Sequence, residues 1–98
     1  MKMKITVKSF LTLRQVMGNQ AEFEMEIGDI TIAELLDQLC DRFGEGLAVQ
    51  VFERDTNEVS HLLRVLVNGR HYTTLPHRLN TKLEEGDEVA LFPPVAGG

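Results

Sequence analysis

An α+β fold, with one helix packed across a curved mixed sheet, follows from three observations in the sequence. Two N-terminal stretches alternate apolar and polar residues, a strongly amphipathic helical run comes next, and further strand-like runs close the chain. Strands followed by a helix and then more strands describe a sheet with its helix on one face.

The first strand covers residues 3–9, where Met3, Ile5 and Val7 alternate with Lys4, Thr6 and Lys8. The second covers 21–27, with Phe23, Met25 and Ile27 facing one way and Glu22, Glu24 and Glu26 the other. Gly18-Asn19 suits a turn between them, which gives an N-terminal hairpin with room for a helical turn around Leu13–Met17. The glutamate row reads as a solvated sheet face, with a docking face as the alternative. The helix is well marked. Thr31 and Glu34 have the spacing of a capping box, and Ile30 and Leu35 that of a hydrophobic staple. Ile32, Leu35, Leu36, Leu39, Cys40 and Phe43 follow the helical period, and Gly44 is placed to end the helix with a left-handed cap. Residues 45–61 carry the least legible pattern. Leu47-Ala48-Val49-Gln50-Val51-Phe52 fits a short strand, and Asp55-Thr56-Asn57 a turn. Leu63, Val65 and Val67 then mark a strand, Asn68-Gly69 a two-residue hairpin, and Arg70-His71-Tyr72 the returning segment. Leu79 and Leu83 bracket a short connection. Glu85-Gly86-Asp87 turns the chain into the last strand, Glu88-Val89-Ala90-Leu91-Phe92.

A length of 98 residues supports one small core, and 43% hydrophobic with 26% charged residues is ordinary for a globular domain. No apolar run is long enough to span a bilayer, and Met1-Lys2-Met3-Lys4 is not followed by the apolar stretch of a signal peptide, so no membrane is expected as a partner. Fifteen acidic against ten Lys and Arg residues, net −5, argue against a nucleic-acid partner and allow a basic protein partner. The single Cys40 excludes an internal disulfide and fits a reducing cytoplasm. On the apolar stripe of the helix it reads as core. His61, His71 and His77 have no metal-motif spacing and read as surface residues; no metal and no bound cofactor are expected.

The sequence ends Leu91-Phe92-Pro93-Pro94-Val95-Ala96-Gly97-Gly98. Two prolines favour a stiff, extended path, and two glycines without Cβ allow a backbone to thread a narrow channel. Residues 93–98 thus read as a flexible arm on a domain of residues 1–92, able to hold the Gly98 carboxylate up to roughly 20 Å from the folded body. That is the geometry of a chemical handle delivered into another protein. The chain has no Gly-x-x-x-x-Gly-Lys phosphate loop and no nucleophile–base pair, so it reads as a substrate and carrier whose catalytic groups lie on its partners.

Three segments carry a family resemblance: Val67-Asn68-Gly69, Glu85-Gly86-Asp87-Glu88-Val89-Ala90 and Phe92-Pro93-Pro94-Val95-Ala96-Gly97-Gly98. They resemble the small subunit of molybdopterin synthase, the MoaD-like branch of the ubiquitin-like and ThiS-like sulfur carriers. The resemblance covers nearly the whole chain in element order and is most specific in the last twelve or so residues. It implies a β-grasp fold. It also implies that an adenylating enzyme uses ATP to join AMP to Gly98, and that a sulfur donor then makes a thiocarboxylate. The loaded tail would enter the large synthase subunit, and its sulfur would go to a pyranopterin precursor of the molybdenum or tungsten cofactor.

Gly98, with Gly97 beside it, would be the reacting end, and Pro93, Pro94, Val95 and Ala96 would contact the partner. Phe10, His71 and Phe92 fall where the family presents its partner interface. Phe10 and Phe92 each read as either core or interface; Leu91 and Phe92 must point to opposite faces, so only one of that pair can face the helix. Three other readings share these residues. One is a sulfur carrier for thiamine thiazole synthesis, another a protein modifier conjugated to lysines through Gly98, and the last an interaction domain with an inert tail. A segment at 45–61 longer than in compact members of the family is a departure from its pattern.

Overall fold

The computed structural model describes residues 2–53, 55–56 and 58–93. Strand β1 (Met3–Ser9) leads into helix α1 (Leu11–Val16), and strand β2 (Glu22–Ile27) returns beside β1. Helices α2 (Ile32–Phe43) and α3 (Glu45–Val51) follow, then strands β3 (Arg64–Val67), β4 (Arg70–His71) and β5 (Glu88–Phe92), with short 3-10 turns at Tyr72–Thr74 and Arg78–Asn80. The sheet order is β2-β1-β5-β3-β4. Only β1 and β5 run parallel; the other pairs are antiparallel. Two antiparallel pairs, β1–β2 and β3–β4, flank a central β5 that runs parallel to β1, with the main helix over one face; this is the β-grasp arrangement.

Alternation decides which face is buried. Ile5 and Val7 of β1, Val65 and Val67 of β3, and Val89 and Leu91 of β5 lie under α2, whose Ile32, Leu35, Leu36 and Leu39 are fully buried. The expected capping box is formed: the Glu34 amide donates to Thr31 Oγ1 (3.2 Å), and the Thr31 amide donates to Glu34 Oε1 (3.0 Å). Ile30 and Leu35, the residues of the expected staple, are both in the core. Asn68 and Gly69 take positive φ (53° and 84°), as the two-residue β3–β4 hairpin requires.

Two sequence expectations need correction. Leu47–Phe52 is not a strand; Glu45–Val51 is helix α3. Leu47 and Val51 are buried, but a spacing of four residues suits both a strand period of two and a helix period near four. Val49 decides it, because its 66% exposure is the helical outcome and a strand would bury all three. Gly44 does have positive φ (86°), but its ψ of −165° is not a left-handed cap. It is a sharp joint between two helices, in a region essentially restricted to glycine. Its amide donates to the Cys40 carbonyl (2.7 Å), and its own carbonyl accepts from Leu47 and Ala48 (3.2 Å each).

The 45–61 segment adds α3 against α1. Gly46 permits the approach, since a Cβ there would lie 3.3 Å from Val16 Cγ1. Thr12 Oγ1 donates to Gln50 Oε1 across the same contact (2.7 Å).

Candidate functional site

The parallel register pairs Ser9 with Leu91, which sets the next residues, Phe10 and Phe92, side by side on the sheet face away from α2. Their rings stack with centroids 4.2 Å apart and planes 3° from parallel. Leu91 takes the buried position (1% exposed) while Phe92 is half-buried on the opposite face. The guanidinium of Arg14 lies 6.0 Å from the Phe10 ring centre, and its Nε donates to the Ser9 carbonyl (3.3 Å). Arg14 thus braces the Phe10 ring, which in turn braces Phe92.

Beside this stack runs a groove of about 540 Å³ lined by Leu11, His61, Leu62, Arg64, His71, Phe92 and Pro93. Arg64 is the cross-strand partner of Phe92, and His71 that of Leu66, so the β3–β4 hairpin forms one wall. His71 Nδ1 lies 3.2 Å from the Thr73 amide, which donates to it, and 2.9 Å from Thr73 Oγ1. Its ring also stacks on Tyr72 (4.8 Å). His61 Nδ1 is 3.5 Å from Glu53 Oε2. Leu11 (66% exposed) and Leu62 (53%) give the groove an apolar lip. Leu11 holds φ 55°, a left-handed conformation unfavourable for a leucine. Strain in an exposed apolar residue beside a groove is the kind that functional surfaces retain.

The strand that ends at this groove is held firmly. Asn68 Oδ1 accepts from the Glu88 amide (3.0 Å), while its Nδ2 donates to Asp87 Oδ1 (2.9 Å). Asp87 Oδ2 accepts from the Glu84 amide (2.8 Å), which closes the turn before β5. Pro93, the first residue after β5, is buried against the body.

Of the residues singled out from sequence, Phe92, His71 and Pro93 line the groove and Phe10 packs against its floor residue Phe92. Pro94, Val95, Ala96, Gly97 and Gly98 lie outside the described residues. Leu11, His61, Leu62 and Arg64 were missed. The reasoning used for Leu91 and Phe92 flags Leu62 as well, because Leu63 takes the buried side. Nothing in the sequence marks the backbone of Leu11. Among the described residues no group of three or more His, Cys, Asp or Glu is placed to hold a metal ion. Among the same residues no helix is long and apolar enough to cross a membrane. Cys40 is half-buried on α2, and its thiol is pushed up to about 11 by burial and then by Asp37 and Asp41. It is thus poorly suited to carry sulfur as a persulfide.

The model of the ThiS family matches residues 7–98. The chain belongs to the ThiS family. This ThiS-family chain is 35% identical over 96 residues to small archaeal modifier protein 3 of Haloferax volcanii, covering 98% of this chain and 100% of that protein. The solution structure of small archaeal modifier protein 1 from Methanosarcina acetivorans superposes with a TM-score of 0.82 at 27% identity, covering 100% and 99% of the two chains. A Pyrococcus furiosus structure, provisionally named molybdopterin converting factor, subunit 1, gives 0.72 at 29% identity and covers 95% and 99%. The ThiS family thus joins ubiquitin-like sulfur carriers and protein modifiers on one β-grasp fold.

Proposed function

We propose that this chain is a sulfur carrier for molybdopterin synthesis, acting as the small subunit of molybdopterin synthase, with the Gly98 carboxylate as the group that is loaded. The observation that carries this reading is the apolar groove around the Phe10–Phe92 stack at the end of β5, directly before the Pro93-Pro94-Val95-Ala96-Gly97-Gly98 segment. A partner gripping that groove receives the arm alongside it.

A carboxylate is an anion at neutral pH and a poor electrophile, its free pKa being about 3.5. In the proposed cycle a Gly98 oxygen attacks the α-phosphorus of ATP on an adenylating enzyme, and pyrophosphate leaves. A sulfide-level donor then attacks the acyl carbon and AMP leaves, which gives the thiocarboxylate. On the large subunit the thiocarboxylate sulfur attacks an oxygen-bearing carbon of the pyranopterin precursor, the new carbon–sulfur bond replacing a carbon–oxygen bond whose oxygen leaves with the electron pair. Hydrolysis of the acyl–sulfur bond returns the Gly98 carboxylate. The chain contributes the handle and the docking face; its partners contribute the catalytic groups.

The test is intact-mass measurement after incubation with ATP, a sulfide donor and an adenylating enzyme of this superfamily. A sulfur-for-oxygen mass increase is expected, absent when Gly98 is deleted or followed by one extra residue. Transfer of that sulfur to the precursor by a molybdopterin synthase large subunit completes the assignment. Loading that persists in the extended, untrimmed protein sinks the reading.

A second reading is favoured by the 35% identity to small archaeal modifier protein 3 across nearly the whole chain. In that reading the activated Gly98 is captured by a lysine amine, and an isopeptide bond replaces the thiocarboxylate. Gly-Gly remnants on lysines of host proteins, with Gly98 required, identify it.

A further inference from the structure

We propose that the open edge of β2 receives an extended segment of a partner protein whose residues alternate basic and apolar, added as a sixth strand. This surface is separate from the Phe92 groove and does not depend on the chemistry at Gly98.

The sheet order leaves β2 and β4 as edges. β4 is only two residues long (Arg70–His71) and runs straight into a 3-10 turn, so it offers no template. β2 is six residues long (Glu22–Ile27). Its hydrogen-bond phase can be read from its neighbour. The Ser9 amide donates to the Ala21 carbonyl (3.0 Å), and the Thr6 amide turns the other way, towards Asp87 (3.0 Å). With the register Val7↔Phe23 and Ile5↔Met25, the backbones of Phe23, Met25 and Ile27 therefore point into the β1 ladder. Those of Glu22, Glu24 and Glu26 point out to the open edge. Among the described residues no hydrogen bond engages these outward groups. They form an unpaired ladder of the kind that takes up an extended chain.

Side chains choose the occupant. In an added antiparallel strand, the residues opposite Glu22, Glu24 and Glu26 share their face, and the residues between lie on the face of Phe23 and Met25. All three glutamates are exposed. Lys8 is 3.7 Å from Glu22 and is shared with Glu88 at 3.3 Å, and Lys2 reaches Glu26 only at 3.9 Å. Glu24 faces Thr6 across the ladder and has no ion pair among the described residues. On the other face Phe23 and Met25 are half-exposed, with Phe43 edge-on to Phe23 at 5.9 Å and the Arg42 guanidinium over its ring at 5.4 Å. The matching strand therefore reads basic–apolar–basic–apolar–basic. A second copy of this chain is the wrong occupant, since antiparallel pairing of two β2 edges sets glutamate opposite glutamate.

The experiment follows backbone amide hydrogen exchange by NMR in the full chain, with and without a peptide containing Lys-Val-Lys-Val-Lys. The control peptide has the same composition, with the lysines and valines in two blocks. Alternating peptide should slow exchange at Glu22, Glu24 and Glu26 and leave Phe23 and Met25, already in the ladder, unchanged. Glu24→Lys should weaken binding about fivefold, the scale of losing one cross-strand ion pair and gaining a like-charge pair. Shift changes without slowed exchange at the three glutamates, equal binding of the block peptide, binding at the Phe92 groove, or edge protection that grows with protein concentration alone would each overturn the proposal.

Discussion

Truncating the Phe10–Phe92 stack tests the link between the last strand and the candidate docking face. Each ring is half-buried, and full burial of a phenylalanine is worth about 1.5–3 kcal/mol, so lost burial alone should cost either single alanine variant about 0.75–1.5 kcal/mol. Rings 4.2 Å apart and 3° from parallel add a pairwise contribution of about 0.5–1.5 kcal/mol. Removing either ring removes that contribution once. The double variant should therefore be about 1 kcal/mol more stable than the two single losses together imply. In a chain of 98 residues, 1 kcal/mol moves Tm by about 4–8 °C, well within measurement. Urea denaturation of the four proteins closes the cycle, and calorimetric titration with a synthase large subunit reads the second role. Phe92→Ala should cost more than about 1 kcal/mol of binding, as a central aromatic anchor does. Additive stabilities, with coupling below about 0.3 kcal/mol, would mean that the rings do not support one another. Unchanged binding in both folded variants would remove them from the interface.

Gly44→Ala should destabilise the fold by about 1–3 kcal/mol in urea denaturation, because φ 86° with ψ −165° is strained for alanine although nothing lies within 4 Å of the added Cβ. A variant as stable as the parent would show that the joint between α2 and α3 relaxes freely. For Cys40, whose thiol is raised from 9.0 to about 11, the native state holds its proton more tightly than the unfolded state. Its contribution is therefore complete below pH 9 and is lost as pH rises towards 11. Alkylation of the folded protein should lag that of the urea-unfolded protein most strongly below pH 9, with the lag closing as pH rises towards 11; equal rates below pH 9 would contradict the shift.

Local signals were the legible ones. The capping box needs only Thr31 and Glu34, and the β3–β4 hairpin only Asn68 and Gly69; both are written within four consecutive residues. What the sequence hid depends on partners far along the chain. Leu47 and Val51 fit strand and helix equally, and burial of α3 against the body decided between them. Asn68 was readable as a turn residue, but its side chain also bridges to Asp87 and Glu88, about twenty positions later. The site was half legible for the same reason. Phe92 could be assigned to the outer face once Leu91 claimed the core. The stacking partner, Phe10, needed the parallel β1–β5 register, which no local pattern encodes. Leu11 entered through a backbone angle that its side chain disfavours.

That register is also what makes a short arm useful. β5 lies between β1 and β3 and is tied at its start by Asn68 and Asp87, so its far end cannot swing. Pro93 is buried where the strand stops. Five residues remain from Pro94 to Gly98, and fully extended they reach roughly 17 Å. Under the proposed function, any catalyst that acts on Gly98 must therefore place its reacting atoms within that radius of Pro93, and so close to the Phe92 groove. Sequestering the groove and receiving the carboxylate become one binding event. A rigid strand end with a small apolar seat can thus serve successive partners with unrelated chemistries. Each needs only to fit the same seat and to put its own active site one arm's length away.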